Sequence, residues 1–90
     1  MANMKSAAKR ARQSEKLYLR NRWYRGRART FIKRAREAMD SGDTKDAQEA
    51  VKWASRALDQ AAQKGAIHKN NAARRKSRLM RALDRAEKAS

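Results

Sequence analysis

The chain has 90 residues, of which 25 are Lys or Arg and nine are Asp or Glu, so its formal net charge at pH 7 is +16. Without cysteine it can form neither disulfide bonds nor thiolate metal sites, and it has no apolar run of the roughly 18 residues that a membrane span needs. Few β-branched residues and no proline predict one short all-α domain, and the charge predicts a polyanionic partner.

The first predicted helix runs from Lys5 to Met39, because the stretch has no proline and only one glycine, Gly26. A helix of this length spans roughly 50 Å. Gly42 is suited to the left-handed position that closes many helices. Residues of the second half recur at three- and four-residue steps and so form one apolar stripe: Ala28, Phe31, Ile32, Ala35 and Met39.

The second predicted helix begins at Asp43 or Thr44, either of which can act as its N-cap, and ends near Lys64 and Gly65. Trp53 lies at the border of its apolar face, where packing against the bundle and stacking on a base both remain open. The face itself has the clearest helical periodicity in the chain and consists of Ala47, Ala50, Val51, Ala54, Ala57, Leu58 and Ala61.

The third predicted helix begins at Asn70 or Asn71, both good N-caps, and Ile67 is placed to pack against its first turn. Its apolar positions are read as Ala73, Leu79, Met80, Leu83 and Ala86, with Lys76 among them. Short glycine-containing turns then predict an all-α, up-down-up three-helix bundle with an extended N-terminal helix.

We expect a single domain over residues 1–90, in which residues 1–25 form a protruding basic arm and residues 26–90 form the bundle. The basic side chains of the arm repel one another, so we expect its helix to fray in the free protein and to become ordered when it binds a polyanion. The predicted bundle core is Phe31, Ile32, Val51, Leu58, Leu79 and Leu83.

Charge is segregated along the chain. Residues 1–36 carry 13 bases and one acid, a net charge of +12; residues 37–63 carry three bases and six acids, or −3; residues 64–90 carry nine bases and two acids, or +7. Two basic limbs that flank an acidic middle favour binding to a nucleic-acid backbone, whose phosphates release counterions when Lys or Arg neutralises them.

Candidate RNA contacts lie on both basic limbs. On the first helix they are Lys5, Lys9, Arg10, Arg12, Lys16, Arg20, Arg22, Arg25 and Arg27. Around the start of the third helix they are His68, Lys69, Asn70, Arg74, Arg75, Lys76 and Arg78, where free backbone N–H groups add to the basic side chains.

Besides Trp53, three side chains keep two interpretations each. Trp23 and Tyr24, which lie among arginines, either pack near the end of the bundle or stack on unpaired bases. His68, the only histidine, either packs or caps a helix, or it hydrogen-bonds RNA. It has no second histidine or cysteine with which to hold a metal, and the sequence predicts no cofactor.

Other function classes fit less well. A DNA-compacting protein that binds nucleic acid without specificity would share the charge, and it is the main alternative. A membrane-active helix would leave the capped middle helix without a use. An Arg-rich presequence would be removed, whereas this segment continues into the fold. The sequence has no glycine-rich phosphate loop and no nucleophile with a partnered base, so we predict that it is not an enzyme.

Three ordered blocks resemble one known family, that of the twentieth protein of the bacterial and organellar small ribosomal subunit. The blocks are Met1-Ala2-Asn3 with Lys5-Ser6-Ala7, Lys9-Arg10, Gln13, Glu15-Lys16 and Arg20-Asn21; Thr30, Ile32, Lys33 and Gly42-Asp43; and Gly65, Ile67-His68-Lys69-Asn70, Ala72-Ala73-Arg74 and Lys76-Ser77-Arg78-Leu79. The chain departs from the family at Ala8, where a base is common, and at Trp23-Tyr24, where small or basic residues are.

The resemblance implies a three-helix bundle that binds small-subunit ribosomal RNA, supports subunit assembly and stays as a structural component. It also implies a cytoplasmic location in ribosomes, or the matrix or stroma of an organelle, with few or no contacts to other ribosomal proteins and none to a membrane or small-molecule substrate. By similarity the RNA contacts would be Lys5, Ser6, Lys9, Arg10, Lys16, Arg20, His68, Lys69, Asn70, Arg74 and Lys76.

Overall fold

A computed structural model describes the protein over residues 2–89, with side chains over residues 4–89. It contains three helices, α1 (Ala2–Ser41), α2 (Thr44–Gln63) and α3 (Lys69–Ala89), and no strand over residues 2–89. Helix α2 packs extensively against both of the others, whereas α1 and α3 contact each other much less. The predicted all-α, up-down-up arrangement is confirmed.

Helix α1 is the longest element of the fold. Its 40 residues span about 60 Å at 1.5 Å per residue, twice the span of the 20-residue α2. The molecule is correspondingly elongated, with extents of 67 × 21 × 13 Å. Because α2 can cover only half of α1, every described side chain from Met4 to Arg20 is exposed.

The first turn follows from two local signals. Gly42 adopts a φ of 81°, and its N–H donates to the carbonyl oxygen of Met39 at 3.2 Å. Asp43 is the N-cap of α2, since its carboxylate accepts a hydrogen bond of 3.1 Å from the backbone N–H of Asp46. Of the two predicted caps, the structure therefore selects Asp43 over Thr44.

The second turn begins with a Schellman motif. Gly65 has a φ of 76°, its N–H donates to Ala62 at 3.0 Å, and the N–H of Ala66 donates to Ala61 at 2.8 Å. Both bonds satisfy carbonyl oxygens at the end of α2 that have no partner within the helix. The predicted end at Lys64 and Gly65 is confirmed.

The start of α3 differs from the prediction. The helix begins at Lys69, and the residue before it, His68, caps it: the backbone N–H of Asn70 donates to His68 Nδ1 at 3.1 Å. Asn71 lies inside the helix, where its Oδ1 accepts a bond from Arg75. Neither asparagine is the N-cap, because the helix begins two residues before the position of Asn70 as a cap: the carbonyl oxygen of His68 already accepts a helical bond of 3.1 Å from the N–H of Ala72.

The core is built mostly from alanine. Of the six predicted core residues, Val51, Leu58 and Leu79 are buried, whereas Phe31, Ile32 and Leu83 are half-buried and pack against them. The rest of the central cluster consists of Ala28, Ala35, Ala54, Ala57 and Ala72. Small side chains let the helices approach closely but bury little apolar area each, so Leu58 and Leu79 carry an unusual share of the stability.

The buried face of α3 differs from the predicted one. Ala73 and Met80, which the pattern predicts on the apolar face, are both exposed, and Ala72 is buried instead. At 100° per residue, Ala73 and Met80 lie roughly 100° around the helix from the line of Ala72 and Leu79. Packing against α2 selects that line.

Candidate nucleic-acid interface

The first basic surface is the exposed face of α1 before the bundle. We call Lys5, Lys9, Arg10, Arg12 and Lys16 the arm surface; all five side chains are exposed, as is Ser6. Lys9, Arg12 and Lys16 border an open groove of about 330 Å³ together with Gln13. Within residues 1–36 the only acid is Glu15, so these cations repel one another and favour a polyanion beside them.

Arg20, which follows the arm surface in α1, contacts the turn between α2 and α3. Arg20 Nη2 donates a hydrogen bond of 2.8 Å to the carbonyl oxygen of Lys64. The turn leads to the exposed side chains of His68, at its end, and of Lys69 and Asn70, at the start of α3, so the contact connects the two predicted basic segments of the chain. The division of the chain into an arm of residues 1–25 and a bundle stays a prediction.

The second basic surface is a cleft between α1 and α3. Its volume is about 260 Å³, and four arginines line it above Ile32 and Leu79: Arg36, Arg74, Arg75 and Arg78. We call these four residues the arginine cleft. None of the described residues that line it is acidic, and guanidinium groups can each hold phosphate oxygens through two parallel hydrogen bonds.

Arg36 is the member of the cleft that the sequence did not assign. It was counted in the charge of residues 1–36 but not among the candidate contacts, because nothing local shows that it faces α3. The helical spacing of Ile32 and Arg36, four residues apart on one face, was the available signal. Using it required knowing that Ile32 lies against α3.

Two predicted contacts, Lys76 and Arg27, have side-chain partners on α2. Lys76 Nζ lies 3.0 and 3.1 Å from the two carboxylate oxygens of Asp59, and its side chain is only 30% exposed. Arg27 donates to Gln60 of α2, and its guanidinium carbon lies 5.7 Å from the ring centroid of Trp23 and 5.4 Å from that of Phe31. Both residues thus connect α2 to its neighbours, and their RNA roles stay predictions.

The remaining predicted contacts, Arg22 and Arg25, are exposed on α1. With 25 bases and nine acids, the basic side chains of the chain outnumber the acidic ones by 16. Among the described residues, no group of three His, Cys, Asp or Glu side chains is arranged to hold a metal ion. None of the three helices, over residues 2–89, has the length and apolar composition to span a membrane.

The two tryptophans have different environments. Trp53 stacks on Phe31, with ring centroids 6.3 Å apart and an interplanar angle of 20°, and Arg56 lies over its ring. Trp53 therefore packs against the bundle, as the first of its two interpretations predicted. Trp23 is 60% exposed and contacts Tyr24 edge-on, with ring centroids 4.9 Å apart.

Comparison with known proteins gives a consistent result. A family model described as Ribosomal protein S20 matches residues 2–84. The chain is 56% identical over 89 residues to the small ribosomal subunit protein bS20 of Thermomicrobium roseum, an alignment that covers 99% of this chain and 90% of the relative. It is 53% identical over 90 residues to the bS20 protein of a Roseiflexus species, covering 100% and 98%, and 46% identical over 84 residues to that of Geobacter sulfurreducens, covering 93% and 97%.

Proposed function

The chain belongs to the ribosomal protein S20 family, and from this membership we propose that it is a structural, non-enzymatic component of the small ribosomal subunit. In this role it binds small-subunit ribosomal RNA directly through two basic surfaces and supports assembly of the subunit. Its location is then the ribosome of the cytoplasm.

The arginine cleft is the observation that carries this proposal. Four arginines from two helices border one cleft that contains no carboxylate among its described lining residues, so their positive charge is left uncompensated. A phosphate group beside the cleft relieves their mutual repulsion and accepts hydrogen bonds from more than one guanidinium. Because Arg36 belongs to α1 and the others to α3, the packed bundle, rather than either helix alone, presents this surface.

The arm surface supplies the second contact. Its five cations lie on an exposed helix that extends beyond the bundle, where a folded RNA can approach from several sides. Contacts of this kind go to phosphate and ribose and select RNA by shape more than by sequence. We also propose that few or no contacts go to other ribosomal proteins, since every charged side chain of α1 from Met4 to Arg20 except Glu15 is basic and exposed.

The direct test is binding to purified small-subunit ribosomal RNA at several salt concentrations. We expect the log–log plot of affinity against salt to have a slope steeper than about −2, because more than two or three phosphates are engaged. Random duplex DNA is the comparison. Equal affinity for the DNA at physiological salt would contradict the proposal and favour the DNA-compacting alternative.

A charge-matched pair of variants tests the cleft itself. Replacing Arg36 and Arg78 by Gln removes one guanidinium from each helix of the cleft. Replacing Lys45 and Lys52, both exposed on α2, removes the same charge elsewhere. We expect the slope to become shallower by about 1 to 2 in the cleft variant and to stay nearly unchanged in the control. Equal losses would mean that charge acts without regard to place.

A further inference from the structure

Trp23 lies in an open groove on the outer face of α1. The groove has a volume of about 500 Å³ and is lined by Leu19, Arg22, Trp23, Gly26, Arg27 and Thr30, all of which belong to α1. These residues recur at three- and four-residue steps, so they share one face of the helix. The Trp23 side chain on this face is 60% exposed, so a large part of its apolar surface is left open to a ligand.

The Trp23 ring is held in place although it is exposed. Its neighbour Tyr24 meets it edge-to-face, at an interplanar angle of 83°. Arg27 lies 5.7 Å from the ring centroid and is itself anchored to Gln60 of α2. Within residues 2–89 no aromatic ring stacks face-to-face on Trp23, whereas Trp53 already has Phe31 in that position.

We propose that the Trp23 groove binds an unpaired base of a single-stranded RNA segment, which stacks on the indole ring while the exposed Arg22 contacts a flanking phosphate and Arg27 adds positive charge beside the ring. This inference rests on the proposed function and adds a base-stacking site to it. Aromatic rings beside arginines form such sites because every base has a π-face, and stacking depends little on base identity.

Charge decides between a base and an apolar protein segment as the occupant. Two arginines line the groove, its described lining contains no acid, and the whole of residues 1–36 contains only Glu15 as an acid. An apolar peptide would bury these guanidinium groups without compensating their charge. A nucleotide supplies an apolar face for the indole and an anion for the arginines at once.

Gly26 contributes to the site through its missing side chain. A Cβ atom at Gly26 would meet nothing within 4 Å, so the position opens onto the groove. A larger residue there would occupy space next to Trp23 without removing the ring or any charge. Gly26→Leu is therefore a second way to block the site.

Fluorescence of the full-length chain tests the inference. Trp53→Phe leaves Trp23 as the only tryptophan, and Trp23→Phe leaves Trp53. Each is titrated with a 12-nucleotide oligoadenylate, with an abasic oligomer of the same length and charge, and with a short RNA duplex. We expect oligoadenylate to quench Trp23 strongly, the abasic oligomer and the duplex to quench it little, and Trp53 to change little with all three.

Affinity measurements give the second readout. We expect Trp23→Leu to weaken oligoadenylate binding roughly 5- to 150-fold, the range that base stacking contributes, and to leave abasic binding unchanged. Trp23→Phe should retain most of the affinity, and Gly26→Leu should lose it with charge intact. Trp53→Leu is the matched control and should have no effect.

The outcomes separate this site from the proposed function. Tight, salt-dependent binding to small-subunit ribosomal RNA with no response of Trp23 would overturn the stacking site and leave the proposed function standing. Quenching of Trp23 by lipid vesicles or by a ribosomal protein, but not by oligoadenylate, would also overturn it. Failure to bind the ribosomal RNA at all would overturn both.

Discussion

Arg20 Nη2 donates a hydrogen bond to the backbone carbonyl oxygen of Lys64 at 2.8 Å, across 44 positions of sequence. The acceptor is the carbonyl of the C-cap residue of α2, which has no intrahelical partner. The bond therefore connects α1, at the end of the arm surface, to the turn before α3. It helps to fix the position of the basic residues of α1 relative to those at the start of α3.

Two arginine variants distinguish the contribution of this hydrogen bond to stability from the effect of removing one positive charge. We expect Arg20→Ala to lower the free energy of unfolding by about 0.5–1 kcal/mol, a small effect because Arg20 is exposed. Arg12→Ala removes the same charge from an exposed position of α1 and should change stability by less than about 0.5 kcal/mol. Urea unfolding followed by circular dichroism measures both. Equal stabilities would show that the Arg20 bond contributes nothing.

Breaking the ion pair between Asp59 and Lys76 should increase the affinity of the protein for RNA. Asp59→Asn frees Lys76, so we expect the salt slope for RNA binding to become steeper by up to about 0.7–0.9. Stability should change by less than about 1 kcal/mol, because the Asp59 side chain is 60% exposed. Asp84→Asn releases Lys88 from a similar pair near the end of α3 and serves as the control. If both variants gain equally, the position of Lys76 has no special importance.

Ser55 of α2 carries a buried hydroxyl group without a hydrogen-bond partner among the described residues. Ser55→Ala should raise the free energy of unfolding by about 1 kcal/mol, since it removes an unsatisfied hydroxyl and improves helix propensity. Thermal unfolding should show a higher midpoint. An unchanged or lower midpoint would mean that the hydroxyl finds a partner in solution.

Two glycines should respond to the same substitution with opposite signs. At both Gly26 and Gly65 an added Cβ would meet nothing within 4 Å, so only backbone conformation differs. Gly26 lies inside α1, and Gly26→Ala should stabilise the protein by about 0.5–1 kcal/mol. Gly65 has a φ of 76°, and Gly65→Ala should cost about 1–2 kcal/mol. Chemical denaturation of the two variants provides the comparison, and a shared sign would contradict the assigned backbone at Gly65.

Leu79 and its neighbour Met80 test how far the alanine-rich core depends on its few large side chains. Leu79 is 1% exposed, and Leu79→Ala should cost about 2–5 kcal/mol, enough to unfold much of a marginally stable bundle. Met80 is 53% exposed, and Met80→Ala should change stability by less than about 1 kcal/mol. Helix content at 25 °C, with and without RNA, reports the outcome. Comparable losses in the two variants would contradict the assigned face of α3.

The local sequence was sufficient for the three helices and for their ends, except the start of α3. The predicted helix from Lys5 to Met39 lies within α1, and the turns at Gly42 and Gly65 have the left-handed glycines that the pattern predicted. These features depend on residues a few positions apart, because capping bonds and helical hydrogen bonds are local. The ordered basic blocks likewise indicated the family that the comparisons then identified.

Only the tertiary structure decided which side chains meet. It placed Arg36 with Arg74, Arg75 and Arg78, paired Lys76 with Asp59, and left Trp23 open while Trp53 stacked on Phe31. Each of these relations joins different helices or depends on which face of a helix is covered. That depends on how packed helices are rotated about their axes, and the rotation is set by non-local contacts of the alanine-rich core that no short stretch of sequence encodes.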